Sequence, residues 1–224
     1  MRKLGLAVVV AAALAPVGTP AQQSVDAFLQ PASKGPPESG ISIGLSVGYA
    51  VPIGEAVGGD ALSNTVSGAI PLQLDLGWRF SPYWYLGAFF QYSIGLTSSA
   101  LSSQCSANGV SCGVSDLQFG VDATYTFLPY GGVLPYVGLG LGWEIFSVNV
   151  SGNGSGSLTL SGFQFARILA GVDFRVASAF RVGPFVNFSL GQFSSASSPV
   201  QNLTIDVTSL HEWLQFGVKG TFDL

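Results

Sequence analysis

The sequence predicts an all-β protein, an eight-stranded antiparallel up-and-down transmembrane β-barrel over residues 40–224. Three observations predict it. Only 9% of the residues are charged while 48% are hydrophobic, whereas soluble domains carry roughly 25% charged residues. Past the N-terminus, no apolar run reaches the ~18 residues a membrane helix needs. Eight segments of about ten residues alternate large apolar with small or polar side chains at period two, the signature of membrane-spanning strands.

The N-terminus reads as an export signal. Arg2 and Lys3 precede an uncharged apolar stretch from Leu4 to Val17, and Thr19-Pro20-Ala21 has the small residues of a cleavage site. That order describes a secretory signal peptide over residues 1–21, its apolar part too short to cross a bilayer as a helix. No cysteine follows it closely, which argues against a lipoprotein anchor. Residues 22–39, with Pro31, Pro36 and Pro37, read as a flexible periplasmic linker. Cleavage leaves six basic against twelve acidic side chains, a net charge of −6. An acidic chain without a basic cluster excludes nucleic acid and charge-driven binding to anionic headgroups.

The first strand places Ile41, Ile43, Leu45, Val47, Tyr49 and Val51 on one face and Ser42, Gly44, Ser46, Gly48 and Ala50 on the other. The second runs over 70–80 and the third over 84–94, separated by a Ser81-Pro82 turn. The fourth covers 117–127, the fifth 137–145, the sixth 165–176, the seventh 181–190 and the eighth 213–222. Pro184 fits least well, because proline removes a ladder donor. Long links at 52–69, 97–114, 147–162 and 194–210 alternate with short ones at 81–83, 128–135 and 177–180. Short periplasmic turns and long extracellular loops are the rule in such barrels, so both termini are expected in the periplasm. The stretch 147–161 reads as a projecting hairpin, Val148 and Val150 facing Leu158 and Leu160 across a turn at 153–156. A hairpin edge of this kind can add strands from a partner.

A charge facing lipid at the midplane costs roughly 2–4 kcal/mol. Arg79, Arg167, Arg175, Arg181 and Lys219 all fall on the interior parity, as do Asp75, Asp122, Glu144 and Asp173. An eight-stranded lumen is just wide enough for side chains to fill, so these nine residues are expected to form a packed polar network that plugs it. Counting up from the periplasmic strand ends at ~3.3 Å per residue puts Glu144 and Arg167 at one height as an ion pair. Asp75, Asp122 and Lys219 then form a lower layer. The inward glycines Gly138, Gly140 and Gly142 leave room for Phe165, Arg167 and Tyr85. Trp78, Phe80, Tyr83, Trp84, Phe127, Tyr130, Tyr136, Phe174, Phe180 and Phe222 read as the aromatic girdle at the short-turn end, with Tyr49, Tyr92 and Trp143 opposite.

Cys105 and Cys112 sit in a Ser-rich link of an exported chain and are expected to form a disulfide within that loop. With His211 the only histidine, no metal site and no cofactor are expected.

The stretches AGVDFRVASAFRVGPFVNFSLG and FGVKGTFDL, with the eightfold alternation, resemble the small outer-membrane barrels of the OmpA-like and OmpX-like type. The resemblance covers residues 40–224. It implies the bacterial outer membrane, contact with its lipid, a monomer, and insertion by the barrel-assembly machinery. That machinery prefers a terminal aromatic residue; here Leu224 ends the chain and Phe222 lies two positions before it. No peptidoglycan-binding domain follows the eighth strand, so that activity is not carried over.

Three functions follow. The first is a non-enzymatic envelope protein that displays loops and supports membrane integrity or surface contact; its surface partner is not named by the sequence. The second is a lipid-modifying enzyme with His211 as base beside Glu212. Neighbouring strand residues point to opposite faces, which argues against that site. The third is a small-solute channel, which a filled lumen opposes.

Overall fold

Alternation of this regularity forces side chains to opposite faces of a sheet, and closure of the sheet removes its edges. The computed structural model describes residues 39–57, 60–152, 156–198, 202–204 and 210–224. The expected signal peptide, most of the linker, and the centre of the 153–156 turn lie outside them. The elements are β1 (Gly40–Val57), β2 (Asp60–Ala61), a 3-10 turn (Leu62–Asn64), β3 (Val66–Arg79), β4 (Trp84–Thr97), α1 (Ser99–Ala107), β5 (Val110–Thr126), β6 (Val133–Gly152), β7 (Gly156–Ala177), β8 (Phe180–Ser197), β9 (Asn202–Thr204) and β10 (Leu210–Asp223).

Strands β1, β3, β4, β5, β6, β7, β8 and β10 pair antiparallel in that order, and β10 pairs back onto β1. This is the closed eight-stranded barrel that the alternation predicts. Partners traced once around run from Ile41 through Trp78, Leu86, Ala123, Leu139, Ile168, Phe188 and Leu214 to Val51. The path returns to β1 ten residues further along, 41 to 51, which is the shear of the barrel. Such a row is a spiral of outward residues: Leu139 is 68% exposed and Ile168 50%. Leu45, Leu72, Leu76, Phe90, Val121, Val186 and Val218 are also exposed on this face. A continuous apolar exterior of this size is a lipid-facing belt. Pro184 lies on that outer face, opposite Val218.

At the short-turn end Tyr125 stacks on Tyr83, with ring centroids 5.9 Å apart, and meets Trp84 at 5.0 Å and Phe127 at 5.2 Å. Tyr136 is not part of this girdle. It is 4% exposed and points into the lumen under Lys219, because β6 begins at Val133 and Tyr136 is already an inward strand position. Phe165 likewise is not a lumen residue: Phe163 and Phe165 both face outward while Gln164 and Arg167 are buried. The register shifts between Gln164 and Ala166, and the extra residue of a bulge turns two side chains of one run to the same face.

The strands continue above the belt on one side. The hairpin of β6 and β7 is present, with Val148 opposite Leu158, Val150 opposite Gly156, and Leu160 opposite Phe146. Its edges are paired over most of their length, and among the described residues of the hairpin only Gly156, Ser157 and Leu158 lack a partner on the β8 side. β5 pairs along it up to Val110–Gly152, and β8 along the other side up to Thr159–Ser197. Beyond β8 lies β9, and α1 packs against β5. The helix is a departure from the expected plain loop at 97–114. Ser98 caps it, its hydroxyl accepting from the Leu101 amide at 3.1 Å, an ordinary N-terminal cap.

Candidate functional site: the lumen and its cap

The inward parity of the eight strands fills the barrel in three polar layers and one apolar layer. Nearest the termini, Asp223 accepts from Arg79 Nη2 at 2.7 Å and from Ser42, and its second oxygen lies 3.5 Å from Arg181 Nε. Arg181 Nε is also 3.4 Å from Asp173. Arg175, half-buried at the rim, donates to the carbonyl of Pro129 at 2.7 Å.

The middle layer holds Gln73, Asp75, Asp122, Arg167 and Lys219. Gln73 donates to Asp75 Oδ1 at 2.7 Å and accepts from Arg167 Nη2. The Arg167 guanidinium lies 4.1 Å from the ring centroid of Phe89, and Lys219 Nζ 4.3 Å from that of Tyr136. A cavity of about 30 Å³ lies among these residues, room for about two or three waters.

Above them sits a third layer that is centred on Glu144. Its two oxygens meet His211 Nε2 at 3.0 Å and Trp213 Nε1 at 2.9 Å, both from the far wall of the barrel. Gln118 donates to Asp116 Oδ2 at 2.8 Å, and Gln164 donates to Gln118 at 3.2 Å.

The expected Glu144–Arg167 pair does not form. Glu144 stands opposite Gly162, and Arg167 opposite Gly140, four residues lower on β6. The hairpin turn above fixes this register. The lower link is shorter than a count along the sequence makes it, since Val133 to Pro135 are already strand.

An apolar layer closes the lumen at the loop end. Leu62 of the 3-10 turn, Val66, Val114, Phe146, Leu160 and Phe193 pack together, with Leu101 of α1 against them. Phe193 stacks on His211 with ring centroids 4.0 Å apart and planes 11° from parallel. His211 is therefore buried in the lumen, not exposed in a loop. Glu212, its neighbour, points to the other side of β10, as strand geometry demands. Among the described residues no cluster of His, Cys, Asp and Glu is arranged to hold a metal ion.

Cys105 and Cys112 are bonded, tying the end of α1 to β5. The closed loop is short, and chain entropy assigns such a loop about 2–3 kcal/mol. Replacing both cysteines by serine is expected to release α1 locally. Protease cleavage within 99–109 under non-reducing conditions should rise at least tenfold while the barrel midpoint stays unchanged.

These features are those of a transmembrane β-barrel: a lipid-facing exterior, an aromatic border at the short-turn end and a side-chain-filled lumen. No protein-family model and no curated protein matches the sequence. Solved structures do match. Neisserial surface protein A superposes at TM-score 0.51 with 12% identity, over 85% of this chain and 100% of its own. A major outer membrane protein from Thermus thermophilus superposes at 0.53 with 8% identity, over 82% and 99%. OprG from Pseudomonas aeruginosa gives 0.48 at 15% identity, over 84% and 99%.

The chain has the fold of the small eight-stranded outer-membrane barrels. Within that fold, sequence reasoning missed Asp116, Asp223, His211 and Trp213 as members of the lumen network. Asp116 lies one residue before the predicted fourth segment and Asp223 one after the eighth. Extending each parity by one further residue would have reached both. Continuing the inward parity from Trp213 reaches His211 as well, but nothing local marked its partner Glu144, 67 residues away.

Proposed function

We propose that this protein is a non-enzymatic outer-membrane barrel that anchors folded loops at the bacterial surface, supporting envelope integrity or surface contact. The observation behind this reading is the cap: the loop end is not an open mouth but a packed layer of Leu62, Phe146, Leu160 and Phe193, stiffened by a disulfide-tied helix. A lumen so filled suits a rigid platform and not solute flux. The termini are periplasmic and the long links external. The barrel works as a monomer in outer-membrane lipid after insertion by the assembly machinery. Catalysis on lipid is disfavoured because His211 is 1% exposed, inside the wall, with Nε2 on Glu144.

An epitope placed between Gly152 and Gly156 should bind antibody on intact cells, and one after Leu224 only on permeabilised cells. The reverse pattern overturns the orientation. Deleting the gene should raise dye entry or lower surface adhesion; no change in either removes the proposed role. In planar bilayers the wild type should give no stable large conductance, because three filled polar layers lie beneath the cap. A stable wild-type conductance would make the protein a channel.

A further inference from the structure

The outer face changes character where the strands rise above the lipid belt. On β6 the outward residues run Leu139, Leu141, Trp143, Ile145, then Ser147, Asn149 and Ser151. The same switch occurs on β5, where Ser115 and Ser111 follow Leu117, and on β7, where Ser161, Thr159 and Ser157 follow Phe163. The strand registers bring these side chains together. Ser115, Ser147, Thr159 and Ser197 make one row across four strands, and Ser111 and Ser151 another above it. Two cross-strand hydroxyl pairs are in contact, Ser147 with Thr159 at 3.4 Å and Ser161 with Ser195 at 2.7 Å. At ~4.8 Å between strands and ~3.4 Å per residue, the array spans about 14 Å each way. Each hydroxyl offers one donor and two acceptors.

Charge decides the occupant. Every Arg and Lys beyond residue 34 is turned into the lumen or its rim. The array therefore has no cation with which to hold phosphate or sulfate groups. It does have the donors and acceptors that sugar hydroxyls need. Trp143 and Phe163, 6.5 Å apart, lie at its lower border where a sugar meets the apolar belt.

We propose that this wall binds the uncharged sugar headgroups of glycolipids in the surrounding leaflet. The inference rests on the reading above that the long links are external. The test is independent of orientation, so either can fail alone. The full chain is placed in nanodiscs of phosphatidylcholine with equal parts digalactosyl diacylglycerol and phosphatidylglycerol, and co-released lipids are weighed by native mass spectrometry.

Wild type should retain the digalactosyl lipid at least fivefold over phosphatidylglycerol. The Ser147→Ala, Thr159→Ala, Ser197→Ala variant should lose that preference, with its gel mobility before and after heating showing a folded barrel. Ser147→Arg with Thr159→Arg should shift retention toward phosphatidylglycerol. Equal retention of both lipids by wild type overturns the proposal, as does an unchanged preference in the folded alanine variant.

Discussion

Gly183→Val is expected to leave most of the protein unfolded. Gly183 lies on the inner face of β8, where a Cβ would stand 1.8 Å from the carbonyl oxygen of Val172 and 2.8 Å from the Asp173 Cα. Both are backbone atoms of β7, so no side-chain rotation relieves the overlap. The two strands must part between the Gly171–Phe185 and Phe174–Val182 pairs. Overpacking of a core costs about 1–3 kcal/mol when neighbours can adjust; a strand seam gives less, and the loss should exceed that range. The measurement is the fraction that keeps compact mobility on unheated gels after refolding. Gly113→Val is the control: nothing lies within 4 Å of a Cβ there, and its stability should stay within about 0.5 kcal/mol of wild type. Wild-type refolding of Gly183→Val would show that the seam is looser than described.

Arg167→Met should cost about 3–5 kcal/mol, the penalty for leaving buried carboxylates short of their cation. Arg167 is 1% exposed, donates to Gln73, lies over Phe89, and faces Asp122 and Asp75. Methionine keeps the bulk of the stem but removes the charge. Without it, Lys219 alone balances two carboxylates in the middle layer. Arg167→Lys should recover only part, since an ammonium lacks the planar fork that reaches Gln73 while covering an aromatic ring. Adding Asp122→Asn to Arg167→Met should restore stability relative to the single variant. Urea unfolding in lipid vesicles reads each step; an unchanged midpoint for Arg167→Met would remove the arginine from the network.

The barrel was legible because a period of two is a local property. Ile41 to Val51 or Leu117 to Phe127 state their facing without reference to any other strand. The sorting of charges was legible for the same reason, since Asp75, Arg79 and Asp122 could face lipid only at a large cost.

Register was harder to read. It is a relation between strands, set by turns whose length the sequence states poorly. The β6–β7 hairpin sets Arg167 against Gly140, four positions from Glu144, and the start of β6 at Val133 brings Tyr136 inside. A single bulge turned Phe165 outward against the count. Pairings across the lumen, such as Glu144 with His211 and Trp213 or Asp223 with Arg79, link residues more than 60 positions apart. No periodicity within one strand encodes them.

The raised sheet of β5 to β8 has a consequence for life in a crowded membrane. Strands that rise out of a barrel offer their backbone amides to any neighbour with a matching rim, and identical copies always match. Here one flank carries α1, held by the Cys105–Cys112 bond, and the other carries the three-residue β9. A short strand and a helix are poor templates for further pairing. Copies packed side by side in a leaflet meet a helix and a three-residue strand at the flanks of this sheet instead of a long open rim.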